Sequence, residues 1–459
     1  MVLRKKYYLI VVAILSAAIL TACGANGTKV TEGGADVTEE IRSEETSVEA
    51  PSGTTEETSS AVTSDVIEET SPESTQHIKD GKSDVKEETS TEAASSQETS
   101  DAKGEVKTEV DEHEKADAAV DNMLIGWNLG NTFDATGDWI LKYTSGTVAD
   151  FETAWGNPVT PDTLMTKLKE LGFGAVRIPV TWRYHFDEEG NIDEAWLARV
   201  QQVVDQAMDA GLYCIINVHH DTGADGWLRA TEANFSENSK TFEKLWVQLA
   251  ERFKDYPDTL LFEGFNEMLD DNSEWNNPKK EAVTVINKYN QLFVDTVRAT
   301  GGNNAARNLI CCTYAAATTD STLNGFAIPE DSASDHIIAE VHFYIPYEFV
   351  TDEGVTWTTP ISEYTDYVEK SIDSAFARLK SKLDTKGVPL IIGEFATDDK
   401  GNTEDRIKWY THVIEKANEQ NITCFIWDNG KGFCMGHIDR EGDADDFPEI
   451  IEACVNAAE

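Results

Sequence analysis

The sequence contains little cysteine and little positive charge, and both shortages exclude classes of function. Seven cysteines occur in 459 residues and none forms a Cys-x-x-Cys pair, which argues against a thiolate zinc site. The chain has 38 Lys and Arg against 84 Asp and Glu, and a formal charge of −46 excludes nucleic acid as a favourable partner. In the apolar runs, where a free buried thiol is the usual outcome, lie Cys214, Cys311, Cys312 and Cys424. A disulfide with Cys434 or Cys454 is left open.

Aromatic side chains are absent from residues 24–119, which contain no Phe, Trp or Tyr. The same stretch has 26 acidic and 8 basic residues and is otherwise rich in Ser, Thr and Ala. Such a chain cannot bury enough apolar surface to offset the entropy lost on ordering. We therefore predict a disordered linker over residues 23–119, extended by its own charge. A specific interaction tail is the alternative, but no clean repeat favours it.

The first residues have the pattern of a secretory signal. A basic start at residues 4–6 precedes an apolar run at 7–20, which is shorter than the roughly 20 residues that span a bilayer. We predict a signal peptide over residues 1–22. The segment LTACG (20–24) resembles the lipobox of bacterial lipoproteins, which implies a lipid on Cys23 and a secreted protein held at the bacterial cell surface by that lipid alone. An ordinary signal peptide with an incidental cysteine is the alternative.

Residues 120–459 are predicted to form one folded domain in which strands and helices alternate. Apolar runs of strand length are 123–131, 175–182, 213–221, 260–268, 308–315, 336–344, 389–397 and 423–429. Segments of helical period are 161–171, 194–210, 239–254, 281–300, 364–386 and 405–421. Eight repeats of this kind predict an α/β fold, a closed (β/α)8 TIM barrel. An open doubly wound sheet is less favoured, because residues 126–130 lack the spacing of its phosphate loop.

Polar side chains are concentrated where the predicted strands end. They are Asn131, Arg177, His219, His220, Asn266, Glu267, Tyr314, His342, Tyr344, Glu394, Trp427 and Asp428. In a barrel all these ends converge on one face, which is where active sites form. Any one of these side chains is explained equally well as a core or solvated residue. Their joint segregation to strand ends indicates an active site.

Glu267 and Glu394 are the most informative of these residues. A carboxylate at the end of an apolar strand is costly unless it is paired or neutral, and alternation places Glu263 deeper on the same side of the strand as Glu267. Two facing carboxyls can cleave a glycosidic bond, one protonating the leaving oxygen and the other attacking the anomeric carbon. We expect Arg177 and Tyr344 to hold Glu394 ionised, and desolvation to keep Glu267 protonated.

Seven fragments of the chain, taken together, resemble glycoside hydrolase family 5, a group that contains many bacterial cellulases. The fragments are IGWNLGNT (125–132), VRIPV (176–180), NVHHD (217–221), FNE (265–267), VHFY (341–344), IGEF (392–395) and IWDN (426–429). Each is weak alone, but all seven occur in the order of the family and at the spacing of a barrel.

The resemblance implies a retaining endo-β-1,4-glucanase that cuts internal bonds of cellulose and related β-glucans. It implies Glu267 as acid/base, Glu394 as nucleophile, no cofactor and no metal. Residues that would bind substrate or steady the two carboxylates are Asn131, Arg177, His219, His220, Asn266, His342, Tyr344 and Trp427. Trp427 would stack on a sugar ring; further candidates for stacking are Trp155, Trp182, Trp227 and Trp275. A xyloglucanase, lichenase or mannanase of the same family is the alternative substrate class, and a monomer is expected.

Two other functions compete with this interpretation. A metal-dependent barrel hydrolase is suggested by His219 and His220, but neighbouring strand residues point to opposite faces, so both should not reach one ion. A lipoprotein that binds sugar without cutting it would not need Glu267, Glu394 and Arg177 together.

Overall fold

The computed structural model describes residues 113–351, 358–442 and 444–459. The predictions for the signal peptide, for Cys23 and for the linker up to residue 112 lie outside these residues. In the described part of the chain, no helix has both the length and the apolar character needed to cross a membrane.

Eight parallel strands close into a barrel in chain order, with the last strand paired to the first. The strands are β1 (Gly126–Leu129), β2 (Ala175–Ile178), β3 (Tyr213–Asn217), β4 (Leu260–Glu263), β5 (Leu309–Cys312), β6 (Ile337–His342), β7 (Leu390–Phe395) and β8 (Ile422–Asp428). The predicted barrel and its eight strands are confirmed. Several strands end earlier than predicted, because pairing stops where the chain turns outward into the loops that carry the polar residues.

Helices lie between the strands and at both ends of the folded domain. They are α1 (Ala116–Asn122), α2 (Asp138–Tyr143), α3 (Val148–Glu152), α4 (Leu164–Glu170), α5 (Glu194–Asp209), α6 (Glu232–Arg252), α7 (Lys280–Ala299), α8 (Asp320–Gly325), α9 (Tyr347–Val350), α10 (Asp366–Leu383), α11 (Thr403–Asn418) and α12 (Pro448–Ala458). The six predicted helices are present. The helix predicted at 239–254 begins earlier, because the Thr231 side chain accepts a hydrogen bond from the backbone N–H of Asn234 and caps it there.

Helix α1 corrects the predicted boundary of the linker, which was placed at residue 119. Ala116, Val120 and Met123 are spaced on one helical face and pack under the barrel interior. The backbone N–H of Glu114 also donates to the Asp258 carboxylate. Residues 113–119 therefore belong to the folded domain, since α1 covers apolar side chains that would otherwise face water.

The barrel interior is apolar at the end covered by α1 and polar nearer the carboxyl ends of the strands. The apolar layer consists of Ala175, Ile215, Leu261, Ile310, Ile338, Ile391 and Phe425. The next inward-facing side chains are those of Asn128, Arg177, Asn217, Glu263, Cys312 and Glu340, all buried. Buried polar groups must satisfy one another, so this layer forms a hydrogen-bonded platform beneath the open end.

A shift in strand register brings two chemical groups face to face above that platform. Pairing between β6 and β7 shifts at Val341 and His342, so that His342 lies opposite Glu394. Gly393, just before Glu394, faces Glu340, and a Cβ at this position would overlap the Glu340 carboxylate. A side chain at residue 393 would therefore force the Glu340 carboxylate to move.

The six cysteines of the described part of the chain are all buried: Cys214, Cys311, Cys312, Cys424, Cys434 and Cys454. Among them Cys214, Cys311, Cys312, Cys424 and Cys454 are free thiols. Burial raises the pKa of the Cys214 thiol, which keeps it protonated and unreactive.

Candidate active site

Glu267 and Glu394 face each other at the carboxyl end of the barrel. One oxygen of each carboxylate, together with a ring nitrogen of His342, lies in a group whose atoms are all within 4.8 Å of one another. The Glu394 side chain is 6 % exposed and that of Glu267 is 12 % exposed, so both reach the cleft without being solvated. A separation near 5 Å suits direct attack by one carboxylate, whereas a wider gap would be needed to admit a water molecule.

Glu267 does not reach the cleft by strand alternation, and the prediction that it follows Glu263 along one strand face is wrong. Strand β4 ends at Glu263. Phe265 then packs outward against Phe242 and Tyr289 in the helical layer. The chain therefore turns after the strand, and the turn, not the pleat, directs Glu267 inward.

Arg177 on β2 is the main hydrogen-bond donor beneath the two carboxylates. Its Nε and Nη2 atoms donate to the Glu263 carboxylate at 2.6 and 2.8 Å, and its Nη1 donates to Glu394 Oε1 at 2.7 Å. Nη2 also donates to Asn266 Oδ1, and Nη1 to Asn128 Oδ1. The guanidinium is completely buried, so its planar fork fixes four partners at once.

The protonation of Glu394 differs from the expectation that its neighbours hold the pKa low. Burial raises its pKa, the charges of His342 and Arg177 oppose that rise, and repulsion from Glu267 adds to it. Tyr344 donates its hydroxyl proton to Glu394 Oε2 at 3.1 Å, as expected. The contacts predicted to steady the carboxylate are thus in place, but they offset the cost of burial without exceeding it.

His342 lies between carboxylates and carries a positive charge near neutral pH. Its Nδ1 is 2.8 Å from Glu267 Oε1 and 3.6 Å from Glu394 Oε2. Burial lowers the pKa of His342, but Glu394, Glu267 and Glu340 together raise it to about 10. The ring therefore supplies the second cation of the site after Arg177.

The cleft itself contains eight of the ten predicted site residues. Its walls are formed by Asn131, Trp155, His219, His220, Asn266, Glu267, Tyr344, Glu394 and Trp427. The two others, Arg177 and His342, lie beneath its floor. The Trp427 indole and the His219 imidazole are nearly parallel, 7° apart with ring centroids separated by 5.8 Å. Burial lowers the pKa of His219, so this ring is neutral.

The four further tryptophans named from the sequence have different positions. Trp155 lines the cleft. Trp182 is completely buried and donates its indole N–H to the Asn217 carbonyl. Trp227 donates to the Asp221 carboxylate and lines a separate surface groove, and Trp275 packs against the core. Of these four tryptophans, Trp155 is the one placed to contact a ligand in the cleft, together with Trp427.

His219 and His220 both face the cleft, so the prediction that they point to opposite faces is wrong. Strand β3 ends at Asn217, and alternation does not extend to the loop that follows. The rings meet edge to face at 4.5 Å and lie with Asp134 in a group that could hold a cation. His219 Nδ1 accepts a hydrogen bond from the side-chain amide of Asn217, and His220 Nδ1 is hydrogen-bonded to the backbone carbonyl of Asp134. The Asp134 carboxylate accepts two backbone N–H groups, so much of this donor set is already used.

Sequence reasoning did not identify the platform residues Asn128, Asn217 and Glu340. Asn217 donates to Glu263 at 2.8 Å, and Asn128 donates to the Gly393 carbonyl at 2.9 Å. A signal for Glu340 was present, because alternation along β6 places it on the same side as His342. Glu340 was missed because only polar residues at the ends of predicted strands were selected, and Glu340 lies inside an apolar run.

Comparison with known proteins gives concordant matches. The family model described as cellulase (glycosyl hydrolase family 5) matches residues 133–432. Endoglucanase B of Neocallimastix patriciarum is 39% identical over 344 residues, which are 73% of this chain and 70% of that protein. The structure of PbGH5A from Prevotella bryantii B14, with a bound xyloglucan tetradecasaccharide, matches with a TM-score of 0.68 at 39% identity. The match covers 76% of this chain and 99% of the PbGH5A chain. A lichenase from Caldicellulosiruptor sp. F32 matches with a TM-score of 0.69 at 38% identity, over 76% of this chain and 96% of the lichenase chain.

Proposed function

This chain belongs to glycoside hydrolase family 5, and from that premise we propose how its residues carry out hydrolysis. It is a glycoside hydrolase, an endo-β-1,4-glucanase that acts on β-glucans. The roles of individual residues are our proposal: Glu394 is the nucleophile and Glu267 the acid/base. The observation that carries it is the approach of the two carboxylates to within 4.8 Å.

In the first step an oxygen of Glu394 forms a bond to the anomeric carbon while the bond from that carbon to the leaving oxygen breaks. The proton of Glu267 passes to the leaving oxygen, so the shortened chain departs as an alcohol. The product on the enzyme is a glycosyl ester of Glu394. Arg177 and Tyr344 each hold one carboxylate oxygen, which fixes the orientation of the attacking group.

In the second step Glu267, now a carboxylate, takes a proton from water as the water oxygen attacks the anomeric carbon. The bond to Glu394 breaks and the enzyme returns to its starting state. Two successive inversions retain the anomeric configuration. Glu267 can act in both steps because it is more exposed than Glu394 and the His342 ring fixes its position.

Recognition of the sugar rests on the walls of the cleft. The Trp427 indole offers a flat apolar surface for the C–H face of a pyranose. Asn266, held by Arg177, would meet the 2-hydroxyl of the sugar at the cleavage point, where hydrogen bonds strengthen in the transition state. His219, His220 and Asn131 would contact the same sugar and its neighbour. Mixed-linkage glucan and xyloglucan are further proposed substrates, because a lichenase and a xyloglucan-bound enzyme resemble this chain.

The mode of cleavage gives the direct test of this function. On carboxymethylcellulose we expect a rapid fall in viscosity with few new reducing ends, because a cleft open at the barrel mouth admits the middle of a chain. Viscosity and reducing-end release are measured in parallel, with barley β-glucan, xyloglucan and glucomannan ranking the substrates. Reducing ends that accumulate without a fall in viscosity would indicate cleavage from chain ends and contradict the proposal.

We also propose that the protein is secreted and held at the cell surface through a diacylglycerol on Cys23. The support is the lipobox-like segment at residues 20–24 and the acidic segment that follows it. Replacing Cys23 with Ser is expected to release most of the enzyme into the medium with unchanged activity per molecule. Fractionation of cells and medium measures this, and the unsubstituted chain should enter the detergent phase on phase separation. Retention of the Cys23→Ser variant on cells would contradict a lipid anchor.

A further inference from the structure

Glu340 is a completely buried carboxylate below the catalytic pair, and nothing in the mechanism above uses it. Cys312 Sγ donates to its Oε2 at 2.9 Å. Its Oε1 lies 3.7 Å from Arg177 Nε and 3.6 Å from His342 Nε2. Among the described residues, neither Glu340 Oε1 nor His342 Nε2 has a hydrogen-bond partner. The two atoms lie close to each other and are therefore placed to interact. A buried anion is stabilised chiefly by such facing donors and cations.

The His342 imidazole therefore lies between two carboxylates. Its Nε2 faces Glu340, and its Nδ1 lies 2.8 Å from Glu267 Oε1. The charged imidazolium carries a proton on each ring nitrogen, and an anionic Glu340 holds the one on Nε2. The proton on Nδ1 then lies between His342 and Glu267 Oε1 and can pass to either of them.

We propose that Glu340 is a positioning residue for the acid/base: it holds a proton on His342 Nε2, so that His342 Nδ1 and Glu267 share one further proton. The inference rests on the proposed role of Glu267. During the first step the shared proton goes to the leaving oxygen, and during the second step water returns it. The proton on Nε2 stays in place throughout, so Glu340 is neither protonated nor consumed.

The charges around Glu340 agree with an anion at this position. Burial raises its pKa, but His342, Arg177 and the Cys312 thiol outweigh burial and lower it overall. The charged and titratable groups that face it are Arg177 from β2, Glu263 from β4, Cys312 from β5 and His342 from its own strand. Burial raises the pKa of Glu263 to about 7 while Arg177 opposes that rise, so Glu340 is the stronger acid of the two.

The test compares two substrates in the Glu340→Gln variant, which keeps the shape and removes the charge. Cleavage of a β-glucan needs a proton on the leaving oxygen, whereas 2,4-dinitrophenyl β-cellobioside loses its leaving group without one. We expect kcat/KM on β-glucan to fall by roughly 10–100-fold. On the dinitrophenyl substrate it should change by less than about 3-fold, because proton donation contributes little there.

The pH profile supplies a second readout. Removing a negative charge beside His342 weakens the hold on the proton shared with Glu267, so that proton is lost at lower pH. The alkaline limb of kcat/KM on β-glucan should therefore move toward acid by about one pH unit. Equal losses on both substrates with an unmoved alkaline limb would show a purely structural role and overturn the proposal.

Two controls keep the outcome decisive. Glu152→Gln removes another buried carboxylate, which is paired with Arg199 in the outer layer of helices. It should change neither the ratio of kcat/KM between the two substrates nor the position of the alkaline limb. If Glu340→Gln does not fold, the ¹⁵N resonances of His342 in the unsubstituted protein decide, with His342→Gln identifying the signals. The resonances are read above the pH of the alkaline limb, where the proton shared with Glu267 has been lost. A protonated Nε2 at that pH supports the proposal, and an unprotonated Nε2 overturns it. An unsubstituted protein that cleaves neither substrate would refute the proposed function itself, not this inference alone.

Discussion

Glu394→Gln is expected to reduce kcat on carboxymethylcellulose by at least about 10⁴-fold, because the variant loses the carboxylate that attacks the anomeric carbon. The amide oxygen can still accept the Arg177 hydrogen bond, so the fold and KM should change little. Reducing-end release and thermal unfolding measure the two effects separately. Glu152→Gln, on the outer layer, should keep full activity. Survival of more than a few per cent of the rate would exclude Glu394 as the nucleophile.

Azide separates the role of Glu394 from that of Glu267. With 2,4-dinitrophenyl β-cellobioside, azide should restore turnover of Glu394→Ala by attacking the sugar directly, which yields the α-glycosyl azide. In Glu267→Ala the glycosyl ester still forms, and azide should release it as the β-glycosyl azide. The configuration of each product, read by NMR, assigns the roles. The opposite configurations would mean that the two roles are reversed.

Arg177→Met is expected to lower both stability and activity. The buried carboxylates of Glu263 and Glu394 would lose their common cation, and breaking such a pair costs about 3–5 kcal/mol. For a domain of this size we expect the Tm to fall by roughly 5–15 °C. Activity of the folded fraction should fall by about 10²–10³-fold, because Glu394 loses the donor that orients it. Calorimetry and initial rates at a temperature below unfolding measure these effects.

Two comparison variants separate the structural from the catalytic contribution of Arg177. Adding Glu263→Gln to Arg177→Met should restore part of the stability, since a neutral amide replaces an unpaired carboxyl, but not the rate. Arg307→Met removes another buried guanidinium, which donates to backbone carbonyls and to Asn304 and contacts no residue of the cleft in the described part of the chain. It should cost stability while leaving kcat intact. Activity that returns together with stability in the double variant would mean that Arg177 supports the fold alone.

The sequence was sufficient for the barrel and for the walls of the cleft, because both follow from short-range patterns. The eight apolar runs predict which polar residues meet at the carboxyl end of the barrel, and this prediction does not depend on the exact register between strands. Asn131, His219 and Trp427 could be assigned to the cleft in this way. The same reasoning found the two carboxylates that face each other in the cleft, since Glu267 and Glu394 each lie at the end of an apolar run.

The parts that the sequence did not predict depend on where alternation stops. His219 and His220 share the cleft because β3 ends at Asn217, four residues before the end of the predicted run. The first four residues of helix α1 were assigned to the linker, because they follow a long acidic stretch and include few apolar side chains. Their contribution to the fold is to cover one end of the barrel, which a local pattern does not reveal. The protonation of Glu394 could not be inferred from neighbours alone, because it depends on the depth of burial.

The close approach of Gly393 to the Glu340 carboxylate makes these two positions dependent on each other in evolution. A methyl group at 393 would displace the Glu340 carboxylate from its place beside His342, since the added atom would meet it. The favoured order of changes is therefore a smaller residue at 340 first and a side chain at 393 afterwards. A homologue with a side chain at the position of Gly393 should accordingly carry a smaller residue in place of Glu340, and would have to hold its histidine by other means.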